Sequence, residues 1–361
     1  MLIYNLYLCA MSKLRKILKP ISILYGEVVK ARNAMYDKGI LESKKFDIPT
    51  IVVGNLSVGG TGKSPMIEYL VRLLQNEYRV AILSRGYKRS SKGFQLADEN
   101  STVAQMGDEP MQFYKKFKNI RVAVDAKRVN GIAQLQHLKN PPEVILLDDA
   151  FQHRKVQGGF NILLTPYYNL YVDDVMLPTG DLRENVAGAK RADVIMVSKC
   201  PDELSDSEQF EITKKLNIEL TQTAYFTKIG YDENVLNGRH KIAINDLVNY
   251  DILLITGIAK TKPLTDFLTI KKITFEHLKY KDHYNFTDKD LENIDKSFSK
   301  LTGNKKLILT TEKDYVRTFE GVNEKVYFLP IKTEFLIPDA MEEKSFKTKI
   351  KRYVEQSTRN S

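Results

Sequence analysis

The sequence predicts an α/β protein with a mostly parallel sheet wrapped by helices, followed by a second, smaller α/β domain. Between Ile48 and about Ala224, short apolar runs typical of buried strands alternate with amphipathic segments typical of helices. Such alternation builds parallel sheets that bind ligands at the carboxyl ends of their strands. The stretch VGNLSVGGTGKSP, residues 53–65, follows one of these strands and precedes a helix.

The first element is a strand, a glycine-rich loop and a helix. DIPTIVVGN (residues 47–55) is typical of a buried strand and PMIEYLVRLLQ (65–75) of an amphipathic helix. Gly62, Lys63 and Ser64 match the end of the P-loop pattern, although Ser57 stands where its first glycine belongs. The order predicts a phosphate cradle in a P-loop NTPase-like sheet. Its nucleotide-binding residues are Ser57, Val58, Gly59, Gly60, Thr61, Gly62, Lys63 and Ser64.

In that geometry Lys63 would reach the β- and γ-phosphates of a nucleoside triphosphate, and the Ser64 hydroxyl would bind Mg²⁺.

A later strand, EVILLDDAFQH (residues 143–153), ends in two adjacent carboxylates, Asp148 and Asp149. Alone, such a run can be a strand followed by a solvated turn. Beside a P-loop, a carboxylate at a strand end can hold Mg²⁺ directly or through water.

Two further segments carry candidate catalytic groups. Asp108 and Glu109 follow a glycine and open a helix, so they either form its acidic first turn or supply a carboxylate that accepts a hydroxyl proton. Arg183 lies in a turn-rich loop, where it is either solvated or neutralises a transferring phosphoryl group. His283 in KYKDHYNF could pair with Asp108, although sequence spacing cannot show that the two meet.

Composition limits the class of protein. The chain has 361 residues, 43% of them hydrophobic, which favours two domains. The two cysteines, Cys9 and Cys200, are far apart and argue against a disulfide framework or a zinc site. A net charge of +10 favours an anionic partner: nucleic acid, a phospholipid surface or a phosphorylated substrate.

Residues 1–40 are expected to form an amphipathic membrane-interface segment. Apolar residues such as Leu14, Ile17 and Ile21 alternate there with lysines and arginines, a pattern typical of helices that lie in a bilayer surface. The alternative is an ordinary helix that packs its apolar face on the domain. No run approaches the roughly 20 apolar residues that span a bilayer.

The remaining chain is expected to divide into three parts. Residues 41–228 are expected to form the P-loop core, 229–248 a linker, and 249–361 the smaller C-terminal α/β domain. The last 20 residues, EEKSFKTKIKRYVEQSTRNS, are expected to form a basic helix that frays.

Taken together, the motifs resemble the tetraacyldisaccharide 4'-kinase family, the lipid A 4'-kinases. The resemblance covers nearly the whole chain and keeps the family's order. Ser57 is the family's own form of the loop, so it no longer counts against nucleotide binding. The matching stretches are IPTIVVGNLSVGGTGKSP, ILSRGYKR, GDEP, VILLDDAFQH, LPTGDLRE, ADVIMVSK, ITGIAK, KDHYNF and LTTEKDYVR.

The resemblance implies an ATP- and Mg²⁺-dependent kinase. It would transfer the γ-phosphate to the 4'-hydroxyl of a tetraacyl glucosamine disaccharide 1-phosphate, as a peripheral protein on the cytoplasmic face of the inner membrane. By similarity Lys63 holds phosphates, Arg183 contacts phosphate, and Asp108 is the general base, assisted by His283. The metal site is implied to consist of Ser64, Glu109, Asp148 and Asp149.

The implied partners are the acylated disaccharide phosphate lipid and the membrane surface, with no nucleic acid and no obligate protein partner. One alternative is a P-loop ATPase or GTPase that acts on a protein or a nucleic acid. Another is a lipid-binding protein with a decayed kinase site, against which the intact Lys63, Ser64, Asp108 and Asp149 argue.

Overall fold

The computed structural model describes residues 15, 17–282, 284–321, 324–337 and 341–359. A nine-stranded sheet organises the first unit, and a six-stranded sheet organises the second unit, residues 234–329. The predicted α/β class, a mostly parallel sheet wrapped by helices with a second smaller α/β body, is confirmed. His283 lies outside the described residues, as do residues 1–14 and Lys16.

The strands of the first sheet are β1 (Thr50–Asn55), β2 (Val80–Ser84), β3 (Gln95–Leu96), β4 (Arg121–Val124), β5 (Val144–Asp148), β6 (Phe160–Pro166), β7 (Val194–Ser198), β8 (Thr223–Tyr231) and β15 (Ile331–Phe335). They lie in the order β15-β8-β7-β6-β1-β5-β2-β4-β3. Only the two outer pairs, β3 with β4 and β15 with β8, are antiparallel among the described strands of this sheet. The carboxyl ends of β1 and β5 are therefore neighbours, which brings the glycine-rich loop next to Asp148.

The strands of the second sheet are β9 (Asn234–Leu236), β10 (Lys241–Ala243), β11 (Asp251–Thr256), β12 (Phe275–Lys279), β13 (Lys306–Thr311) and β14 (Val326–Leu329). They lie in the order β10-β9-β14-β13-β11-β12. The four strands from β11 to β14 pair in parallel, and β9 and β10 add an antiparallel edge.

Helices cover both faces of the first sheet. Successive residues of β1 alternate between two cores. Ile51 and Val53 pack with the helices at residues 63–74 and 108–116, whereas Val52 packs with the helices at residues 128–136 and 206–216. The described helices are α1 (Lys19–Asp37), α2 (Lys63–Leu74), α3 (Val103–Met106), α4 (Asp108–Lys116), α5 (Arg128–Gln136), α6 (Asp206–Leu216), α7 (Lys262–Ile270), α8 (Asp288–Lys300), α9 (Glu312–Asp314) and α10 (Met341–Arg359). A π-helical turn, Tyr315–Phe319, continues α9. Among the described residues, no helix combines the length and the apolar character that crossing a bilayer needs.

The observed sheets differ from the expected boundaries at two places. Residues 229–248, expected as a linker, include the end of β8 and both strands of the β9–β10 hairpin. After β14 the chain returns to the first unit, where β15 pairs with β8 and α10 buries Phe346, Ile350 and Val354. The expected fraying of the last helix is therefore wrong for Met341–Arg359: its apolar residues at i, i+4 and i+8 fill the core around Phe335.

Two buried carboxylates share one ammonium where the units meet. Lys116 Nζ of α4 lies 2.7 Å from Glu68 Oε2 of α2 and 2.7 Å from Glu312 Oε2 of α9. Arg72 and Gln112 also bind the Glu68 carboxylate. Burial, followed by repulsion from Glu68, raises the pKa of Glu312 to about 7.

The variant Glu312→Gln should therefore be the more stable protein at alkaline pH. Because the pKa in the folded state exceeds the unfolded value of 4.5, the stabilising contribution of protonated Glu312 is complete below pH 4.5 and is lost as pH rises through 7. Between pH 5 and pH 8 the wild-type free energy of unfolding should fall by up to about 3 kcal/mol relative to the variant. Urea unfolding at several pH values measures this difference. If the free energies of unfolding of the two proteins change with pH in parallel, the prediction is contradicted.

Candidate functional site

The glycine-rich loop joins β1 to α2, as the sequence predicts. Gly62 has a φ of +93° and precedes the first residue of α2, Lys63. That left-handed conformation is readily available only to glycine. The first N–H groups of α2 point out of the helix and carry the positive end of its dipole. The loop therefore offers an anion site at its centre.

Neighbouring strands fix the loop in place. Val58 N donates to Asp181 O at 2.8 Å, Ser198 Oγ donates to Thr61 O at 2.7 Å, and Lys199 Nζ donates to Gly60 O at 2.5 Å. Gly54 lies so close to Phe151 that an added Cβ would be 2.6 Å from the Phe151 Cβ. The loop is thus fixed by β7 and by the segment before Arg183.

Lys63, Asp149 and Arg183 form one ion cluster beside the loop. Lys63 Nζ lies 3.5 Å from Asp149 Oδ1 and 3.4 Å from Asn55 Oδ1, and Arg183 binds both Asp149 oxygens at 3.1 and 2.9 Å. Burial acts to raise the pKa of Asp149, but Lys63 and then Arg183 outweigh it and hold that pKa below its ordinary value. Asp149 is therefore a carboxylate anion at neutral pH and holds two cations beside the loop.

Asp148 lies at the end of β5 and is 1% exposed. Ser84 Oγ donates to its Oδ2 at 2.9 Å, whereas its Oδ1 is buried with no hydrogen-bond partner within the described part of the chain. Burial, then the charges of Glu109 and Asp149, raise the pKa of Asp148 to about 7. A buried oxygen without a partner costs free energy of folding, so Oδ1 of Asp148 is an oxygen that could bind a cation.

Glu109 meets the loop from α4. Its Oε1 accepts a 3.2 Å hydrogen bond from Ser64 Oγ and lies 4.0 Å from Lys313 Nζ of the second unit. Its neighbour Asp108 forms an ion pair with Arg317, also of the second unit. His283, the expected partner of Asp108, lies outside the described residues.

A basic cavity of about 600 Å³ adjoins the carboxylates. Arg128 lines it and donates to the Asp148 carbonyl at 2.9 Å, which connects cavity and carboxylates. Burial, then the charge of Arg128, lowers the pKa of His153 to about 4, so this lining residue is neutral at pH 7. The other lining residues include Arg32, Lys127, Asn130 and Lys155.

Residues 14–354 match the family described as Tetraacyldisaccharide-1-P 4'-kinase. The chain belongs to this family. The tetraacyldisaccharide 4'-kinase of Flavobacterium johnsoniae is 54% identical over 327 residues, which cover 90% of this chain and 94% of that protein. The tetraacyldisaccharide 4'-kinase of Bacteroides thetaiotaomicron is 43% identical and covers 97% of this chain and 96% of its own length.

A solved structure agrees with this membership of the tetraacyldisaccharide 4'-kinase family. A crystal structure of LpxK from Aquifex aeolicus in complex with ATP matches with a TM-score of 0.75 at 30% identity, covering 94% of this chain and 99% of that one. The expected enzyme class, a phosphotransferase of lipid A biosynthesis, and the P-loop NTPase-like fold are confirmed. The alternative ATPase or GTPase acting on a protein or nucleic acid finds no support in these comparisons.

Sequence reasoning assigned no role to several residues that complete the kinase site. Ser84 and Arg128 bind Asp148, Lys199 binds the loop, and Arg317 binds Asp108. Arg317 lies in LTTEKDYVR, one of the stretches that carry the family resemblance. The motif signalled importance, but only the fold shows that its arginine lies against Asp108.

Proposed function

We propose that this kinase transfers the γ-phosphate of ATP to the 4'-hydroxyl of a tetraacyl glucosamine disaccharide 1-phosphate. The observation that carries the proposal is the meeting of Lys63, Asp148, Asp149 and Glu109 around the loop between β1 and α2. The matched family name supplies the acceptor, and the ATP complex of the Aquifex aeolicus protein supports the donor.

The transfer uses the described groups as follows. Lys63 and Arg183, held by Asp149, contact the phosphates and stabilise the charge that develops during transfer. The hydroxyl oxygen bonds to the γ-phosphorus, the bond to the bridging oxygen breaks, and ADP leaves with that electron pair. Asp108 accepts the hydroxyl proton, and His283 is proposed to orient it.

The donor set suits Mg²⁺. Asp148 offers a buried unpartnered oxygen, and Ser64 and Glu109 lie within 3.2 Å of each other, with Asp149 following Asp148. Within the described ranges no group of three His, Cys, Asp or Glu side chains could hold a metal by itself. That is compatible with Mg²⁺, which is usually bound by one or two carboxylates together with substrate phosphates. When bound, it would neutralise phosphate charge.

The basic cavity is proposed to bind the anionic head of the lipid. Arg32, Lys127 and Lys155 line it, and His153 is neutral there. The substrate carries a phosphate at one end and the 4'-hydroxyl at the other. The phosphate would lie in the cavity, and the hydroxyl would extend toward the phosphate loop and Asp108. Charge-assisted hydrogen bonds would fix that orientation.

The test is direct. The protein is incubated with ATP labelled at the γ-phosphate and with the disaccharide 1-phosphate lipid, and the lipid product is separated and counted. A labelled lipid phosphate is expected only with both substrates. Label released as inorganic phosphate without any lipid product would overturn the proposed reaction in favour of an ATPase.

We further propose that α1 attaches the enzyme to the cytoplasmic face of the inner membrane. Ile17, Ile21, Leu24 and Val28 follow a helical period, and they are 73%, 54%, 68% and 60% exposed. The buried residues of α1, Ser22 and Tyr36, lie on its protein-facing side. An apolar stripe that faces away from the protein is suited to insertion in a lipid interface.

The opposite face of α1 holds the loop that carries Arg183. Ser22 Oγ donates to Thr179 Oγ1 at 2.6 Å, and Tyr25 Oη donates to Arg183 O at 3.0 Å. Asn33 Nδ2 donates to Glu184 Oε1 at 2.6 Å. A bilayer bound on one side of α1 would therefore lie one helix away from the phosphate-contacting arginine.

Replacing Ile21 and Leu24 together by aspartate should release the enzyme from vesicles. Each side chain contributes about 1.5–3 kcal/mol when buried in an apolar phase, so binding to vesicles of phosphatidylethanolamine and phosphatidylglycerol should weaken at least tenfold. Sedimentation measures this, with Ile270→Asp as a matched control because Ile270 is 78% exposed on α7 of the second unit. Undiminished sedimentation of the double variant would exclude α1 as the anchor.

A further inference from the structure

One short segment of the second unit contacts both ends of the helix that carries Asp108. Residues 312–320, called here the clasp segment, comprise α9, the π-helical turn and Glu320. At the start of α4, Arg317 binds Asp108. At its end, Lys116 binds Glu312 at 2.7 Å, and Lys115 binds Glu320. The position of α4 is thus tied to the second unit.

The contact between Arg317 and Asp108 differs from an ordinary surface ion pair. The Arg317 side chain is 8% exposed and that of Asp108 is 21% exposed. Arg317 Nε lies 3.1 Å from Asp108 Oδ2, and a second guanidinium nitrogen, Nη2, binds the same oxygen. Two donors in a rigid plane restrict how the carboxylate can rotate.

Arg317 is itself fixed inside the second unit. Its Nη1 lies 3.5 Å from Asp314 Oδ1 and donates to Tyr284 O at 3.4 Å. Asp314 is fully buried and accepts hydrogen bonds from Gly257 N at 2.8 Å and Thr311 Oγ1 at 2.7 Å. These contacts join the ends of β11 and β13 to the guanidinium. Its place beside Asp108 is therefore set by the second sheet.

We propose that Arg317 is a positioning residue for phosphoryl transfer. It orients the Asp108 carboxylate toward the acceptor hydroxyl, and through it the second unit controls the base that lies in the first. The inference rests on the proposed role of Asp108 as general base. A base misplaced by about 1 Å can lose about a hundredfold in rate, so orientation has a measurable consequence.

Removing the guanidinium should lower turnover more than substrate binding. For Arg317→Ala we expect kcat about 100-fold below wild type, with the KM for ATP changed less than threefold. Millimolar guanidinium ion should restore at least about a tenth of the lost rate, because it can occupy the space left by the Arg317 side chain and orient Asp108. Urea, which has the same shape without the charge, should restore nothing. Arg317→Lys keeps a charge but loses the planar pair of donors. Its kcat should therefore lie between those of Arg317→Ala and the wild type.

The matched control is Lys115→Ala, which removes a different inter-unit pair, Lys115 with Glu320, and leaves Asp108 unchanged. The side chains of Lys115 and Glu320 are 31% and 40% exposed, and such exposed pairs contribute about 0–1 kcal/mol to stability. The kcat of Lys115→Ala should therefore change less than threefold. A kcat for Arg317→Ala equal to that of the control, or a loss that guanidinium does not reverse, would overturn the inference. If the alanine variant does not fold, Arg317→Lys with a wild-type kcat would overturn it equally.

Asp108→Asn separates this inference from the proposal beneath it. An inactive, folded Asp108→Asn together with a guanidinium-dependent Arg317→Ala supports both. If Asp108→Asn is active, Asp108 is not the general base, and the inference about Arg317 is overturned as well. An inactive Asp108→Asn with an unaffected Arg317→Ala leaves the proposed reaction intact and overturns only the role of Arg317.

Discussion

Lys63→Ala should lower kcat by about 1,000-fold or more while leaving the fold intact. Lys63 Nζ lies between Asp149 at the end of β5 and Asn55 at the end of β1, and its side chain is 13% exposed. Those contacts place a positive charge where phosphates are expected to bind. The first sheet is stabilised by apolar cores that do not include Lys63, so the loss should be catalytic.

The measurement is label transfer at saturating ATP and lipid, with thermal unfolding recorded for every variant. Lys63→Met keeps the length of the side chain and removes its charge, so it should be as inactive as Lys63→Ala. Lys332→Met is a matched control, because Lys332 pairs with Glu334 on the edge strand β15, away from the loop. A folded Lys63→Ala enzyme with normal turnover would refute both the loop assignment and the proposed reaction.

Local features of the sequence were sufficient to predict the centre of this site. The apolar runs of β1 and β5 identify buried strands, and in a parallel sheet their carboxyl ends lie at one edge. Gly62 and Lys63 mark the loop because a left-handed glycine and a helix start are local properties of the chain. Hence the sequence indicates that Lys63 begins a helix after the loop and that Asp149 directly follows an apolar strand, and both positions are observed.

Long-range contacts could not be predicted in the same way. Arg317 and Asp108 are 209 residues apart, and no periodicity links a helix start in one unit to a π-helical turn in the other. The return of β15 to the first sheet is equally non-local, because its pairing partner, β8, lies about 100 residues earlier in the chain. Sequence patterns define elements, whereas packing decides their neighbours.

The orientation of α1 on the protein is another feature that its sequence pattern does not predict. Amphipathic spacing predicts a helix with two faces, but it does not predict which face meets the protein. Ser22 and Asn33 form hydrogen bonds with the segment around Arg183, and this leaves Ile21 and Leu24 exposed. These polar contacts hold one side of the helix against the protein, so the proposed membrane contact concerns its other, exposed side.

Asp148→Asn should also reduce kcat by about 1,000-fold, and it should do so through the metal. The substitution keeps the size of a residue that is 1% exposed and keeps an oxygen for the Ser84 hydroxyl, but it removes the negative charge. Mg²⁺ prefers anionic oxygen ligands, so the Mg²⁺ concentration that gives half-maximal activity should rise. Binding of ATP without metal should change little, because Lys63 and Arg183 are held by Asp149.

Ser84→Ala provides the graded comparison for that prediction. It removes the donor to Asp148 Oδ2 while leaving the carboxylate in place, and loss of such a supporting contact typically costs about 10–100-fold in metal affinity or activity. The expected order of activity is therefore wild type, Ser84→Ala, then Asp148→Asn, each assayed over a range of Mg²⁺ concentrations. If Asp148→Asn instead keeps the Mg²⁺ dependence of the wild type, the cation is held elsewhere, and the unpartnered oxygen at the end of β5 is not its ligand.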